Sequence, residues 1–288
     1  MRSILLAICI ALPSGMAQSA EDATTIMEKM AANFEKAAEG RRQFVYRQNI
    51  KGSLIRGDGK FSRKESREYS VTPQAEGTEK KLVSFQGEYR KGKQVVAYSD
   101  PGFKYKDEDI DGELLSDLIE DLTGDKDSRD GISESLFPLR AKDLSSYRFT
   151  MKGRKDVNGR PAYLIAFEPL PSHDFCLHVG DEGHDCSEKL WKGEVSVDAE
   201  DLQPARIDTA LGRKIPWAVR SLLGTNVQQL GFSISYTRVG EGVWFPATYG
   251  TEFRLDVLWF YKRTVTLALV NTGFQKTDAT STITFDLR

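Results

Sequence analysis

Cysteine and histidine are scarce in this chain, and their scarcity limits the chemistry that the sequence supports. The 288 residues contain three cysteines and three histidines. A serine or cysteine nucleophile needs a positioned base, yet His173, His178 and His184 all lie in one short polar segment. The sequence also lacks a G-x-S-x-G elbow, a Walker loop and an H-E-x-x-H helix. We therefore expect a protein that is not an enzyme and that uses no cofactor.

Long apolar runs are absent as well. No segment reaches the roughly 18 uninterrupted apolar residues that a membrane-spanning helix requires. Near the start, Arg2 precedes an apolar segment at 4–13 and small residues at 16–20, which is the pattern of a secretory signal peptide. We expect residues 1–20 to be removed on export, Cys9 with them, and the mature chain to reside in the periplasm without spanning a membrane.

Strong net charge is also lacking, because the formal charge is only −2. This near balance argues against general binding of nucleic acid. The local distribution is uneven: residues 41–107 hold 16 Lys and Arg against 8 Asp and Glu, whereas residues 107–134 hold 12 Asp and Glu against 2 Lys and Arg. One interpretation is a solvated strand face followed by solvated helices. The other is a basic sheet surface with an acidic flap that serves a charged partner in the envelope.

The cysteines that remain after export form an even pair. Cys176 and Cys186 are separated by nine residues, and export favours oxidation, so we predict a disulfide that closes a loop near 172–189. The three histidines lie in the same segment, which makes a zinc site the alternative. Cys-x9-Cys is not a zinc-finger spacing, and we expect no metal.

Two groups of carboxylates offer other chemistry. Residues 107–112, DEDIDG, imitate the start of a calcium loop, but Leu118 occupies the twelfth position, where a bidentate Glu is needed. Carboxylates at a helix start, favoured by the helix dipole, are the alternative. Glu194 and Asp198 lie on the polar face of an alternating segment, where solvated side chains are the simplest interpretation and a glycosidase pair is the other.

Periodicity predicts a mainly β protein with few helices. Ile26, Met30 and Phe34 recur at helical spacing after a capping-box pattern at Thr25 and Glu28. Two further helices are predicted at about 113–122 and 128–136. Most of residues 41–98 and 147–287 alternates between apolar and polar residues, with turn signals between the segments. We predict one strongly curved antiparallel sheet of about ten strands, a half-barrel with helices on its concave face.

Three motifs carry a resemblance to a known family. They are the segments 158–165, NGRPAYLI, 191–201, WKGEVSVDAED, and 242–246, GVWFP. They resemble the sheet of exported proteins of the LolA/LolB-like superfamily, which are related to outer-membrane lipoprotein-sorting factors. The resemblance implies a single domain at 21–288, with a helical insertion near 107–140. It also implies an apolar cavity that receives acyl chains and is closed by helices.

This resemblance indicates an exported binding or carrier protein for lipid, acyl chains or lipoprotein. The residues that would line its cavity are apolar and lie on the first helix and on the inner face of the sheet. They are Met30, Phe34, Trp191, Val195, Val197, Phe232, Ile234, Tyr236, Phe245 and Phe253. The alternative is a non-catalytic interaction domain whose core is filled by its own side chains. Volume separates the two hypotheses, because a continuous apolar pocket of several hundred Å³ indicates a ligand.

Overall fold

One antiparallel sheet contains every strand of the described chain. The computed structural model describes residues 22–74, 76–170, 191–211, 225–257 and 261–277. The helices are α1 (Ala23–Lys36), α2 (Ala38–Arg41) and α3 (Ile110–Thr123), with 3₁₀ turns at Glu134–Leu136 and Ala141–Ser146. The strands are β1 (Phe44–Arg56), β2 (Phe61–Gln74), β3 (Gly77–Lys91), β4 (Gln94–Tyr98), β5 (Tyr147–Val157), β6 (Arg160–Pro169), β7 (Trp191–Asp198), β8 (Pro204–Leu211), β9 (Thr225–Gln228), β10 (Phe232–Gly240), β11 (Val243–Val257) and β12 (Tyr261–Lys276).

The sheet is open, and hairpins build both of its wings. Its order is β4-β3-β2-β1-β12-β11-β10-β8-β7-β6-β5, and β9 pairs with β11. Asn158 (φ 53°) and Gly159 (φ 80°) supply the two left-handed residues that the turn between β5 and β6 requires. The predicted fold class, a curved antiparallel half-barrel with helices, is confirmed, with twelve strands in place of about ten.

Helix α1 covers one half of the buried face of the sheet. Ile26, Met30 and Phe34 form its buried stripe, as their spacing predicted, and the helix packs against β5 and β7. The predicted capping box is wrong. The helix begins two residues before Thr25, with Asp22 as an N-cap whose side chain makes no capping hydrogen bond, because burial of Ala23 draws the first turn onto the sheet.

The prediction of a helix at 128–136 is also wrong, because only the 3₁₀ turn Glu134–Leu136 forms there. Two aspartates compete for the backbone there, since the Asp125 carboxylate accepts from the Ser128 N–H and the Asp130 carboxylate from the Ile132 N–H. Gly131 adopts a φ of 73°, which a helix does not allow. Phe137, fully buried, anchors the irregular segment to the core.

Helix α3 covers the other half of the buried face. Leu115 and Ile119 are buried against β1 and β2. Gly52 on β1 leaves space for the side chains of α3, since an added Cβ would lie 2.6 Å from Leu115 Cδ1. A larger residue at this position would force that leucine side chain to shift.

The acidic segment lies on the basic part of the sheet, as the flap interpretation predicted. Asp109 pairs with Arg63 of β2, and Asp111 pairs with Arg263 of β12. Asp109 also caps α3 by accepting from the Gly112 N–H at 3.2 Å. These arginine partners and the cap confirm the helix-start interpretation of residues 107–112 over the calcium loop. Among the described helices, none has the length and apolar character to cross a membrane.

Candidate apolar binding site

An apolar cavity of about 560 Å³ lies between α3, the irregular segment at 134–138 and the buried face of the sheet. Most side chains that line it are apolar. The apolar members are Leu118, Leu122, Pro138, Tyr147, Trp191, Leu230, Phe232, Tyr249, Phe253 and Leu267. A cavity of this size and lining is typical of a small-ligand site.

Aromatic side chains form the sheet wall of the cavity. Phe232 of β10 lies in a T-shaped contact with Trp191 of β7, with ring centroids 4.8 Å apart. On its other side Phe232 stacks on Tyr249 of β11 at 5.7 Å. The register places Phe232 opposite Thr251, and Thr251 opposite Leu267 of β12, so neighbouring strands present one continuous apolar surface.

Leucines of α3 form the opposite wall. Leu118 and Leu122 are one helical turn apart, so both side chains lie on the same face of α3. Leu122 is buried and Leu118 is half-buried. The N-cap at Asp109 and the close contact at Gly52 fix the position of this helix on the sheet.

Hydroxyl groups in and beside the sheet wall bond within the protein. The Thr251 hydroxyl, in the wall, donates to the Gly231 carbonyl at 2.6 Å. The Thr209 hydroxyl, beside the wall, donates to the Phe232 carbonyl and accepts from the Phe232 N–H. Burial raises the pKa of Tyr147 and of Tyr249 to about 12, so both phenols are neutral at physiological pH. The aromatic wall therefore offers dispersion and hydrophobic contact.

Carboxylates stand at the rim of the cavity. Asp121 and Glu134 line it, and both are exposed. Glu134 pairs with Arg140 at 2.7 Å. Asp121 forms no ion pair with any described residue, and no lysine or arginine belongs to the described lining. The mouth of the cavity consequently carries negative charge.

The structure divides the ten predicted ligand residues into two groups. Three of them, Trp191, Phe232 and Phe253, line the cavity. The other seven pack in the core, which α1 covers in part. They are Met30, Phe34, Val195, Val197, Ile234, Tyr236 and Phe245.

The core near α1 is densely filled with aromatic rings. Phe34 stacks on Phe137 with ring centroids 3.7 Å apart and meets Tyr236 edge-on at 5.9 Å. The Tyr236 hydroxyl donates to the Leu136 carbonyl. Residues 134–136, which periodicity assigned to a helix, thus lead into Phe137, which inserts between α1 and the sheet.

Sequence reasoning missed the cavity residues outside the predicted list. Leu118 and Leu122 lie at the end of the helix predicted at 113–122, and their four-residue spacing signals a shared face. Tyr249 alternates with Phe253 on β11 at a spacing of four and had the same signal. Leu230 alternates with Phe232 and Ile234 and had the same signal. Pro138 lies in an irregular segment, for which periodicity carries no signal.

The carboxylate pair at Glu194 and Asp198 does not form a catalytic couple. Asp198 is buried and accepts two hydrogen bonds from Arg160, at 2.6 and 2.9 Å. Burial alone would raise the pKa of Asp198, but the bonds from Arg160 and from the Asp201 N–H outweigh it and hold that pKa below its ordinary value. The expectation that Asp198 is solvated is wrong, because its carboxylate organises the turn after β7. Glu194 is exposed.

The predicted disulfide of Cys176 and Cys186, the three histidines and the signal segment lie outside the described residues. Within the ranges that the structure describes, no group of three or more His, Cys, Asp or Glu side chains is arranged to hold a metal ion.

Comparisons with known proteins address the fold. The sequence matches no protein-family model and no curated protein. A DUF1329 family protein from Desulfovibrio piger is similar in structure, with a TM-score of 0.37, 12% identity, and coverage of 90% of this chain and 95% of that chain. A LolA superfamily protein from Nitrosomonas europaea is also similar, with a TM-score of 0.32, 13% identity, and coverage of 86% and 94%.

Proposed function

We propose that residues 21–288 form a single non-enzymatic binding domain, exported to the periplasm, that holds an apolar group such as an acyl chain. The observation that supports this proposal is the cavity of about 560 Å³ between α3 and the aromatic wall of Phe232, Tyr249 and Phe253. The cargo is lipid, an acyl chain or the acylated end of a lipoprotein.

Burial of methylene groups supplies the binding energy. Each buried methylene contributes about 0.8 kcal/mol, so eight contribute about 6 kcal/mol before the costs of association. The Thr251 hydroxyl in the sheet wall already donates to a backbone carbonyl and does not compete for the ligand. Affinity therefore rises with chain length until the cavity is filled.

The filled-core hypothesis describes one half of the molecule well. Phe34, Phe137 and Tyr236 pack against one another between α1 and the sheet. The cavity under α3 lies outside that packed region, and the carrier hypothesis is accordingly restricted to it. If no apolar ligand binds there, the interaction-domain hypothesis replaces the carrier hypothesis.

A matched pair of variants on α3 tests the proposal with the neutral fluorescent probe N-phenyl-1-naphthylamine. Leu118 lines the cavity, whereas Leu114, one turn earlier and equally half-buried, does not. We expect saturable binding to the wild type and to Leu114→Asp, and binding about tenfold weaker to Leu118→Asp, because a carboxylate in the cavity loses hydration that the probe cannot replace. Absence of saturable binding to the wild type, or equal weakening by both substitutions, contradicts the proposal.

A further inference from the structure

A second cavity, of about 300 Å³, lies at the opposite end of α3 and has a different chemistry. The ends of β1, β3 and β12 and the segment at 105–111 enclose it. Leu115 and Ile119 pack on Gly52 between the two ends of the helix, and the two cavities share no lining residue.

Positive charge is in excess around this cavity. Six cationic side chains and three carboxylates line it. Two of the cations are neutralised, since Arg63 pairs with Asp109 and Arg263 pairs with Asp111. The remaining cations, Arg56, Arg90, Lys91 and Lys106, form no ion pair with any described residue, and they face a single remaining carboxylate, that of Glu108.

The two free arginines are held in place by contacts that leave most of their donors available. Arg90 donates from Nε to the Phe61 carbonyl at 3.2 Å, and its guanidinium lies 4.7 Å from the centroid of the Phe61 ring. Arg56 donates from Nη2 to the Arg90 carbonyl at 3.4 Å. A guanidinium has five N–H donors, so each arginine retains several for a ligand.

Tyrosines supply an apolar wall beside these cations. Tyr89 and Tyr105 stack with ring centroids 5.4 Å apart, and both line the cavity. A ligand that fits this arrangement combines an anionic group with a short organic part that lies against the rings.

We propose that this basic cavity, defined by Arg56, Arg90, Lys91 and Lys106 beside Tyr89 and Tyr105, is a binding site for a phosphoryl group. Two guanidiniums present forked donors that match phosphate oxygens, and the two lysines add charge at the rim. The phosphoryl group belongs either to a small organic phosphate or to the headgroup of an anionic phospholipid, and the two sources share the same chemistry.

Two measurements on the full chain at low salt separate the sources. Calorimetric titration with glycerol 3-phosphate detects a soluble ligand. Co-sedimentation with phosphatidylglycerol vesicles, compared with phosphatidylcholine vesicles, detects a headgroup. Low salt is required because screening weakens exposed charges.

Two double variants and one control assign the binding to this site. Arg56→Gln/Arg90→Gln removes the forked donors, and Lys91→Gln/Lys106→Gln removes rim charge from side chains that have no structural hydrogen bond among those described. Lys93→Gln, in the same β3–β4 hairpin but outside the cavity, is the matched control. In whichever assay the wild type binds, we expect each double variant to lose affinity by about tenfold or more. We expect the control to bind with the affinity of the wild type.

Each result decides the question. Saturable titration by glycerol 3-phosphate that both double variants lose supports the site and assigns it to a soluble phosphate. Selective sedimentation with phosphatidylglycerol, lost in the same variants, supports the site and assigns it to a headgroup. Failure of the wild type in both assays overturns the proposal. So does binding that persists in Lys91→Gln/Lys106→Gln, which tests the site even if the arginine variant does not fold.

Discussion

Arg63 of β2 and Asp109 at the start of α3 form a buried ion pair, with Nη1 and Oδ2 2.5 Å apart and both side chains no more than 3% exposed. The same guanidinium donates to Glu65 at 3.1 Å and lies over the Tyr98 ring. This pair ties the acidic segment to the basic sheet. The position of α3, and with it the walls of both cavities, depends on this contact.

Substitution Asp109→Asn tests how strongly the pair holds α3. Asparagine retains a side-chain oxygen that can cap the helix, so the substitution chiefly removes the charge opposite Arg63. Loss of one partner of a buried pair costs about 3 kcal/mol. We expect the free energy of unfolding, measured by urea denaturation, to fall by about that amount.

An exposed ion pair between Lys104, which precedes α3, and Glu113 in the first turn of α3 is the control. Lys104 and Glu113 are 2.6 Å apart, but their side chains are 55% and 51% exposed. Lys104→Gln should leave the free energy of unfolding close to that of the wild type, because solvent screens an exposed pair. A similar small effect for both substitutions would show that the Arg63–Asp109 pair does not hold the segment.

Lys80 gives the stability of the protein an unusual dependence on alkaline pH. Its ammonium donates to the Thr123 carbonyl at the end of α3. Burial lowers the pKa of Lys80 to about 8, although the nearby Asp125 opposes the shift. Between pH 8 and the ordinary lysine pKa, the folded state holds fewer protons than the unfolded state, so unfolding takes up protons and stability rises with pH.

Tyrosines reverse this trend at higher pH. Burial raises the pKa of Tyr147 and of Tyr249 to about 12, and it raises the pKa of four further tyrosines, which are Tyr46, Tyr98, Tyr236 and Tyr261. The folded state therefore keeps phenolic protons that the unfolded state loses, and stability falls with pH there. We expect urea midpoints to rise from pH 8 to about pH 9 and then to decline, because six phenols together outweigh one ammonium. Lys80→Met should abolish the rise and retain the decline. Parallel profiles for wild type and variant between about pH 8 and pH 9 would rule out Lys80 as the cause.

Alternation along the chain sufficed to predict the sheet, since a period of two persists wherever one face is buried. It failed at 128–136, where the apolar spacing indicated a helix. There the carboxylates of Asp125 and Asp130 bond to nearby backbone N–H groups, and this competition cannot be read from hydrophobic period alone.

The residues that line the apolar cavity were only partly predictable, because hydrophobic period does not show which element covers a buried position. Phe232 and Ile234 both point to the buried face of β10, and alternation treats them alike. Phe232 lines the cavity, whereas Ile234 is fully buried in the core. The difference arises from which helix or loop covers each position, and that depends on contacts between α3, segment 134–138 and strands distant in sequence.

Negative charge at the mouth of the apolar cavity predicts the charge of the polar headgroup that a bound ligand carries. Asp121 is exposed there without an ion-pair partner in the described chain, and no described lysine or arginine lines the cavity. An anionic head placed at this rim would be repelled, and exposed charges interact by up to about 1 kcal/mol. The cavity therefore favours a neutral or cationic head over a free carboxylate.

Competition against N-phenyl-1-naphthylamine measures this preference with two ligands of equal chain length. We expect dodecanol to displace the probe at roughly threefold lower concentration than dodecanoate, because the alcohol lacks the charge that Asp121 repels. Asp121→Asn should reduce the difference between the displacing concentrations of dodecanol and dodecanoate. Asp117→Asn, an exposed position one turn earlier on α3 and outside the cavity, should leave it unchanged. Since both ligands bury the same alkyl chain, tighter binding of dodecanoate would mean that a cation outside the described lining receives the head, and the cargo would then be an anionic lipid.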